Sequence, residues 1–179
     1  QEVLLEDLLR SGKFYFYKDS IYTGKAVEYF EKKLIRERNF KKGMPHGSEF
    51  QWYASGRLKE EKNYVNGLKE GDVKTWYENG NIKSKTLHDK GLKVKFDKWY
   101  NTGKKSSSGE YKNGKQQGEW MSWYDGGQLK VAQNYNNGKR NGLYSNFYEN
   151  GDTIWSGSFK NGRTKGKNGP FVKWYNNGQ

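Results

Sequence analysis

The chain has 179 residues, of which 32% are hydrophobic and 17% aromatic, with net charge +13 and no cysteine. That composition excludes disulfides, thiol catalysis and Cys-ligated metals, and no apolar run approaches the ~18–20 residues that cross a bilayer. Low hydrophobicity with high charge is the signature of disorder, but disordered segments are poor in aromatics, and 23 glycines against two prolines suit short strands joined by tight turns.

In chain order, residues 1–23 read as a cap and lead-in strand. Val3, Leu4, Leu5, Leu8 and Leu9 give residues 1–10 one apolar side, so a short helix covering the open edge of the first hairpin is expected. Its polar residues Glu2, Glu6 and Asp7 are acidic, which argues against a helix lying on a membrane. Gln1 in place of Met reads as the start of a mature chain behind a cleaved signal peptide or lipoprotein leader, hence an exported protein, although a trimmed chain would look the same.

Residues 24–179 are periodic. Trp52-Tyr53, Trp76-Tyr77, Trp99-Tyr100, Trp123-Tyr124 and Trp174-Tyr175 recur, with Phe147-Tyr148 filling the gap and Tyr29-Phe30 as a weaker first copy, at spacings of 23, 24, 23, 24, 24 and 27 residues. A second aromatic column holds Phe40, Tyr64, Tyr111, Tyr135 and Phe159, with Leu87 in one copy. Glycines keep the same frame, and Asn-Gly, a pair that tolerates the positive φ of tight hairpin turns, occurs nine times. Each copy therefore reads as strand, tight turn, strand, slightly longer turn. In residues 71–94 the strands fall at Val73 to Tyr77 and Ile82 to Leu87 around a turn at Glu78-Asn79-Gly80.

About six such copies, the last incomplete, make an elongated antiparallel meander, all-β apart from the N-terminal helix, growing by roughly 10 Å per hairpin. Alternation along each strand sets Trp52, Trp76, Trp99, Trp123 and Trp174 in a ladder on one face and the paired tyrosines on the reverse, most of them as structural contacts between neighbours. One copy departs from the rule, with Lys95 where the opening glycine is expected and Ser106-Ser107-Ser108 where an apolar strand should run. Residues 163–169 insert three extra, basic positions.

The unit Gly-x4-Trp-Tyr-x2-Gly, followed by an aromatic, Asn-Gly-Lys and a third Gly, is clearest at Gly118 to Lys130 and Tyr135 to Gly142. It resembles the MORN repeat, and within it the bacterial variant of proteins labelled YwqK-family antitoxins. The resemblance covers roughly residues 24–179. It implies a β-hairpin array with an interaction role: anionic phospholipid binding and scaffolding in eukaryotic relatives, neutralising a protein toxin in bacterial ones. It attaches no activity to particular residues.

His46 and His88 stand alone near predicted turns, no metal-ligand spacing or nucleophile elbow is present, and the glycine-rich stretches do not open helices. A non-catalytic scaffold without cofactors is therefore expected, binding a protein partner. Peripheral attachment to anionic membrane lipid or an acidic cell-envelope polymer is the alternative, because residues 41–179 hold 25 Lys/Arg against 13 Asp/Glu. Lysines that keep sheet edges soluble would give the same excess. Nucleic acid is disfavoured by the scarcity of arginine. Glycan binding would need tryptophan rings left in solvent. Candidate binding residues are Trp52, Trp76, Trp99, Trp123 and Trp174, with Lys139, Arg140, Arg163, Lys165 and Lys167.

Overall fold

Strands joined by two-residue turns can only run antiparallel to their neighbours, and this local pairing builds nearly the whole chain. The computed structural model describes residues 2–164 and the backbone of 172–173. It divides into two compact units, residues 1–92 and 93–179.

The first unit contains β1 (Glu2–Leu4), β2 (Leu9–Ser11), β3 (Phe14–Tyr17), β4 (Ser20–Ile21), β5 (Gly24–Phe30), β6 (Lys33–Lys41), β7 (Met44–Trp52), β8 (Leu58–Val65), β9 (Leu68–Lys69), β10 (Gly71–Trp76) and β11 (Ile82–Asp89). Its main sheet runs β1-β5-β6-β7-β8-β10-β11, β9 pairs with β8, and β2-β3-β4 form a separate small sheet. The second unit is built from β12 (Leu92–Trp99), β13 (Lys105–Lys112), β14 (Lys115–Trp123), β15 (Leu129–Asn136), β16 (Lys139–Phe147), β17 (Thr153–Lys160), β18 (Arg163–Thr164) and β19 (Val172–Lys173). They pair in chain order as far as β18, and β19 also pairs with β17. The expected strands and turn of residues 71–94 match β10 and β11 to within two residues.

Two turns alternate. At one end of each hairpin the two central residues both take positive φ, as in Asn66 (51°) and Gly67 (83°) or Asn137 (52°) and Gly138 (80°), which defines a type I′ turn. At the other end the tyrosine of the Trp-Tyr pair closes a wider turn, its carbonyl accepting from the glycine three residues on and its N–H donating to the residue after that glycine. Tyr53, Tyr77, Tyr100, Tyr124 and Tyr148 all do this. Every such hairpin carries a β-bulge beside the Trp or Phe, because Trp52 pairs with Leu58 while Gln51 pairs with Glu60, leaving Lys59 unpaired.

The expected N-terminal helix is not formed. Glu2–Leu4 instead adds to β5 as a parallel strand, a single 3-10 turn follows at Leu5–Asp7, and the chain continues into β2. A ten-residue helix is below the ~12–15 residues at which isolated helices become marginal, whereas the open edge of β5 offers a ready ladder. The apolar residues still serve as a cap. Val3 and Leu8 are buried with Tyr22, Ala26 and Phe40, and Tyr15 packs its ring 4.9 Å from that of Phe40.

The hairpins are linked by a repeated pair of hydrogen bonds. In five type I′ turns the glycine donates to a main-chain carbonyl of the preceding hairpin: Gly43 to Tyr22, Gly67 to Pro45, Gly91 to Lys69, Gly138 to Gln116 and Gly162 to Arg140, at 2.7–2.9 Å. The residue before that glycine donates to a side chain one further along: Lys42 to Thr23, Asn66 to His46, Lys90 to Glu70, Asn137 to Gln117 and Asn161 to Asn141. Both turn N–H groups, which face away from their own hairpin, are thereby satisfied.

Gly43 shows what the first of these joints requires. Its φ is 73°, and a Cβ there would lie 3.1 Å from the Tyr15 carbonyl oxygen and 3.2 Å from Ile21. Gly56 has φ 82° but open space around it. Gly56→Ala should cost only the left-handed penalty of about 1–2 kcal/mol. Gly43→Ala should cost about 1–3 kcal/mol more for the overpacking, read as separate shifts of the denaturant midpoint.

Candidate functional site

Alternation gives each sheet two faces, and the registers show which residues share them. In residues 93–164 one face collects rings. Phe96, Trp120 and Tyr144 stand on β12, β14 and β16, opposite Gly109, Gln133 and Gly157 on the return strands β13, β15 and β17. Two of these three rings therefore lie opposite a glycine on the return strand. Trp120 stacks on Phe96 at 6.3 Å and meets Tyr111 and Tyr135 edge-on at 5.1 and 5.9 Å. Tyr144 meets Trp155 and Phe159 at 4.8 and 5.9 Å. Such pairs contribute about 0.5–1.5 kcal/mol each beyond the area they bury. The Trp120 indole N–H donates to the Glu110 carbonyl at 3.2 Å. All of these rings are half-buried, so one side of the row stays accessible.

Gly109 is the foundation of the row, because a Cβ built on it would fall 2.2 Å from two carbons of the Trp120 ring. Gly109→Ala should therefore displace Trp120, shift its fluorescence and lower stability by about 1–3 kcal/mol.

In residues 1–92 the same face is charged. Glu49 on β7 is fully buried, at the repeat position of Phe96, Trp120 and Tyr144. Its carboxylate meets Arg36 Nε at 3.1 Å, Arg38 through Nε and at 3.0 Å through a second nitrogen, and Lys62 Nζ at 3.3 Å. Lys62 also reaches Glu60 at 2.6 Å. Burial pushes the Glu49 carboxyl upward, but the Arg38 hydrogen bond and the charges of Arg38, Lys62 and Arg36 outweigh it and hold the group below its usual 4.5. Arg36 also lines two clefts, of about 330 Å³ beside Trp52 and Phe30 and about 560 Å³ beside Leu4, Tyr15 and Tyr29. Balanced charges and internal partners make the cluster a cross-strand tie among β6, β7 and β8.

Removing one partner of a buried pair strands the others, so Glu49→Gln should cost about 3 kcal/mol at neutral pH. Because the folded pKa is depressed, the wild-type advantage is complete above pH 4.5 and disappears as pH falls through the lower folded value. In denaturant titrations the gap between the two proteins should be constant from pH 7 to about 5 and narrow as the pH is lowered below 4.5.

The predicted tryptophans are elsewhere. Trp52, Trp76, Trp99 and Trp123 lie at the bulges on the opposite face, half-buried, and pair across the strand with Leu58, Ile82, Lys105 and Leu129. The intervening strands keep the tryptophans from stacking directly on one another. The carbonyls of Trp76, Trp123 and the equivalent Phe147 receive tyrosine hydroxyls from the preceding repeat, those of Tyr53, Tyr100 and Tyr124 in turn, at 2.7–2.9 Å. The bulge lysines Lys59, Lys83 and Lys130 cover the Tyr53, Tyr77 and Tyr124 rings at 5.0–5.5 Å. This opposite face is otherwise tied by partly exposed ion pairs such as Lys85–Asp72 and Lys105–Asp97.

Of the predicted basic residues, Arg140 belongs to the ring face, its guanidinium 5.2 Å from the Tyr144 ring centre and 5.4 Å from that of Phe159, with Nε donating to Gln133 at 3.0 Å. Lys139 and Arg163 are exposed at type I′ turns. Trp174, Lys165 and Lys167 lie outside the described residues.

The histidines differ from expectation. His46 Nδ1 accepts the Asn66 N–H, and His88 is 5% exposed within β11, in the column that elsewhere holds Tyr64, Tyr111, Tyr135 and Phe159. Among the described residues no group of three His, Cys, Asp or Glu is placed to hold a metal, and no helix is long and apolar enough to cross a membrane.

The copy read as lacking its opening glycine needs a one-residue correction. Gly47, Gly71, Gly118 and Gly142 stand five residues before the Trp or Phe and take positive φ, whereas Val94, not Lys95, holds that position in β12. A β-branched residue resists the left-handed region, and β12 runs through as a continuous strand.

The ring face rests on residues that the sequence marks only weakly. Phe96, Trp120, Tyr144 and Trp155 fall outside both aromatic columns; the first three show only when each copy is read three residues before its Trp-Tyr or Phe-Tyr pair, and Trp155 keeps no such spacing. The hydrogen-bond acceptors Thr23, His46, Glu70, Gln117 and Asn141 have a plainer signal, since each immediately precedes a glycine of the repeat frame.

The MORN repeat variant profile matches residues 45–66, 69–90 and 116–137. Each matched segment begins on the residue whose carbonyl accepts the linking glycine N–H and ends one residue before that glycine. No curated protein matches the chain. MORN repeats are generally associated with binding of proteins or of membrane lipid.

Proposed function

We propose that this chain is a non-catalytic binding scaffold of the antitoxin or immunity kind, and that the ring face of residues 93–164 receives a protein partner. The observation that supports it is the half-exposed row Phe96, Trp120, Tyr144 and Trp155, fixed by edge-on contacts and joined by Arg140. Tyrosine, tryptophan and arginine are the residues that dominate binding energy at protein interfaces, and rigid rings lose little entropy on docking.

The test uses wild-type chain and Trp155→Ser as bait in parent-cell lysate. One protein retained through a high-salt wash by the wild type and lost by the variant is expected. That protein, expressed alone, should arrest growth, and co-expression of the chain should relieve the arrest. Identical, salt-labile capture of many proteins by both baits would overturn the reading.

A second reading is attachment to an anionic surface, either membrane headgroups or an acidic envelope polymer. It is supported by the uneven charge, since residues 93–179 hold 15 Lys/Arg against six Asp/Glu.

A further inference from the structure

The charge of the second unit is segregated between its two rows of turns. The wide turns that follow the Trp-Tyr and Phe-Tyr pairs carry Asp125, Glu149 and Asp152, with Lys104. The type I′ turns carry cations alone. Lys112 pairs across the strand with Lys115, Asn136 with Lys139, and Lys160 with Arg163. The nearest acidic residues, Glu110 and Glu119, stand two and four positions back along β13 and β14.

Two features distinguish this edge from lysines that merely keep a sheet soluble. Like charges directly opposite each other destabilise a strand pair, and two of the three turns place two cations in that register. The turns are also held in line. Gly138 N–H bonds to the Gln116 carbonyl and Gly162 N–H to the Arg140 carbonyl, and the Asn137 and Asn161 N–H groups are bound by Gln117 and Asn141. The second and third turns are therefore each held to the turn before, two strands away and about 10 Å along the sheet. The result is a fixed file of exposed cations with asparagine and glycine between them.

We infer that this edge of β13–β18 is a binding site for a flexible, linear, phosphate-bearing polyanion laid along the turns. The inference rests on the anionic-surface reading and gives it a place and an occupant. A bilayer presents a plane and is gripped by inserted apolar side chains, and none stands between these cations. A duplex is read by arginine forks into base edges, whereas the six residues flanking the three turns are four lysines, one asparagine and one arginine, and lysine serves as a point charge for phosphate. A thin polymer with successive phosphates follows a single file of lysines without further contacts.

The experiment measures anisotropy of labelled long-chain polyphosphate with the full chain across a salt series. Three proteins are compared: wild type, the turn variant K112Q/K139Q/K160Q, and the control K32Q/K98Q/K104Q, which loses the same net charge elsewhere. Anionic and neutral vesicles are run in parallel. The expected result is wild-type binding that the turn variant weakens at least about tenfold, with the slope of log affinity on log salt falling by about two for three lost phosphate contacts. The control should change less than about threefold, with vesicles bound weakly. Equal loss in both variants overturns the site and leaves the anionic-surface reading standing. Strong binding to anionic vesicles without binding to polyphosphate overturns the occupant. No binding to any anionic probe overturns the inference and the reading together.

Discussion

A tight turn leaves two main-chain N–H groups pointing away from its own hairpin, and the fold is organised around who accepts them. In the linked hairpins the acceptors belong to the hairpin before, one a carbonyl and one the side chain ahead of a glycine. Turn chemistry thereby becomes inter-repeat chemistry. The asparagine-glycine pair permits the φ values, the glycine reaches a carbonyl 21 or 22 residues back, and Thr23, His46, Glu70, Gln117 or Asn141 completes the joint. This joint also explains the lead-in. Tyr22 supplies the carbonyl for Gly43, so β3 and β4 behave as a partial preceding copy.

With the backbone satisfied edge to edge, the two faces are free to differ. One carries the bulge tryptophans, the lysine-capped tyrosines and cross-strand ion pairs, each worth little alone at such exposure. The other holds whatever fills the space over the return strand. In residues 1–92 that is Glu49 with Arg36, Arg38 and Lys62; in residues 93–164 it is Phe96, Trp120 and Tyr144 over Gly109, Gln133 and Gly157. The same scaffold thus presents a neutralised charge cluster in one unit and an aromatic row in the other. The rings of the second are ordered by one another and keep an open side, which is what supports the proposed recognition face.

Charge follows the same logic at the turns. Where a wide turn needs acceptors, aspartate and asparagine supply them, as Asp125 does for Thr102 and Asn150 does for Asp152. Where the type I′ turns have already bound their N–H groups to the preceding hairpin, the flanking residues are released from structural duty, and in the second unit all but Asn136 are basic. The edge that needs least from its side chains is the edge that carries the exposed cations.

The sequence alone determined the repeat frame and the hairpin meander, because these depend on local φ preferences and on period-two alternation that residues such as Asn137-Gly138 and Trp123-Tyr124 display directly. It reversed the two turns, since the tight type I′ turn falls at Lys90-Gly91 and the wider one follows the Trp-Tyr pair, where the bulge adds a residue. It also marked the tryptophans, but as ring-bearing residues without a face. Only the tertiary structure decided that they sit at bulges, with the carbonyls of Trp76 and Trp123 engaged, while Trp120, Tyr144 and Trp155 make the accessible row, since a face is a property of register and not of composition. The N-terminal segment was misread for the same kind of reason. Its apolar residues suited a helix in isolation, and the unpaired edge of β5, which no local pattern reveals, drew Glu2–Leu4 into a parallel strand. Burial of His88 and neutralisation of Glu49 likewise depend on which strands become neighbours, a long-range outcome that pairing, not propensity, settles.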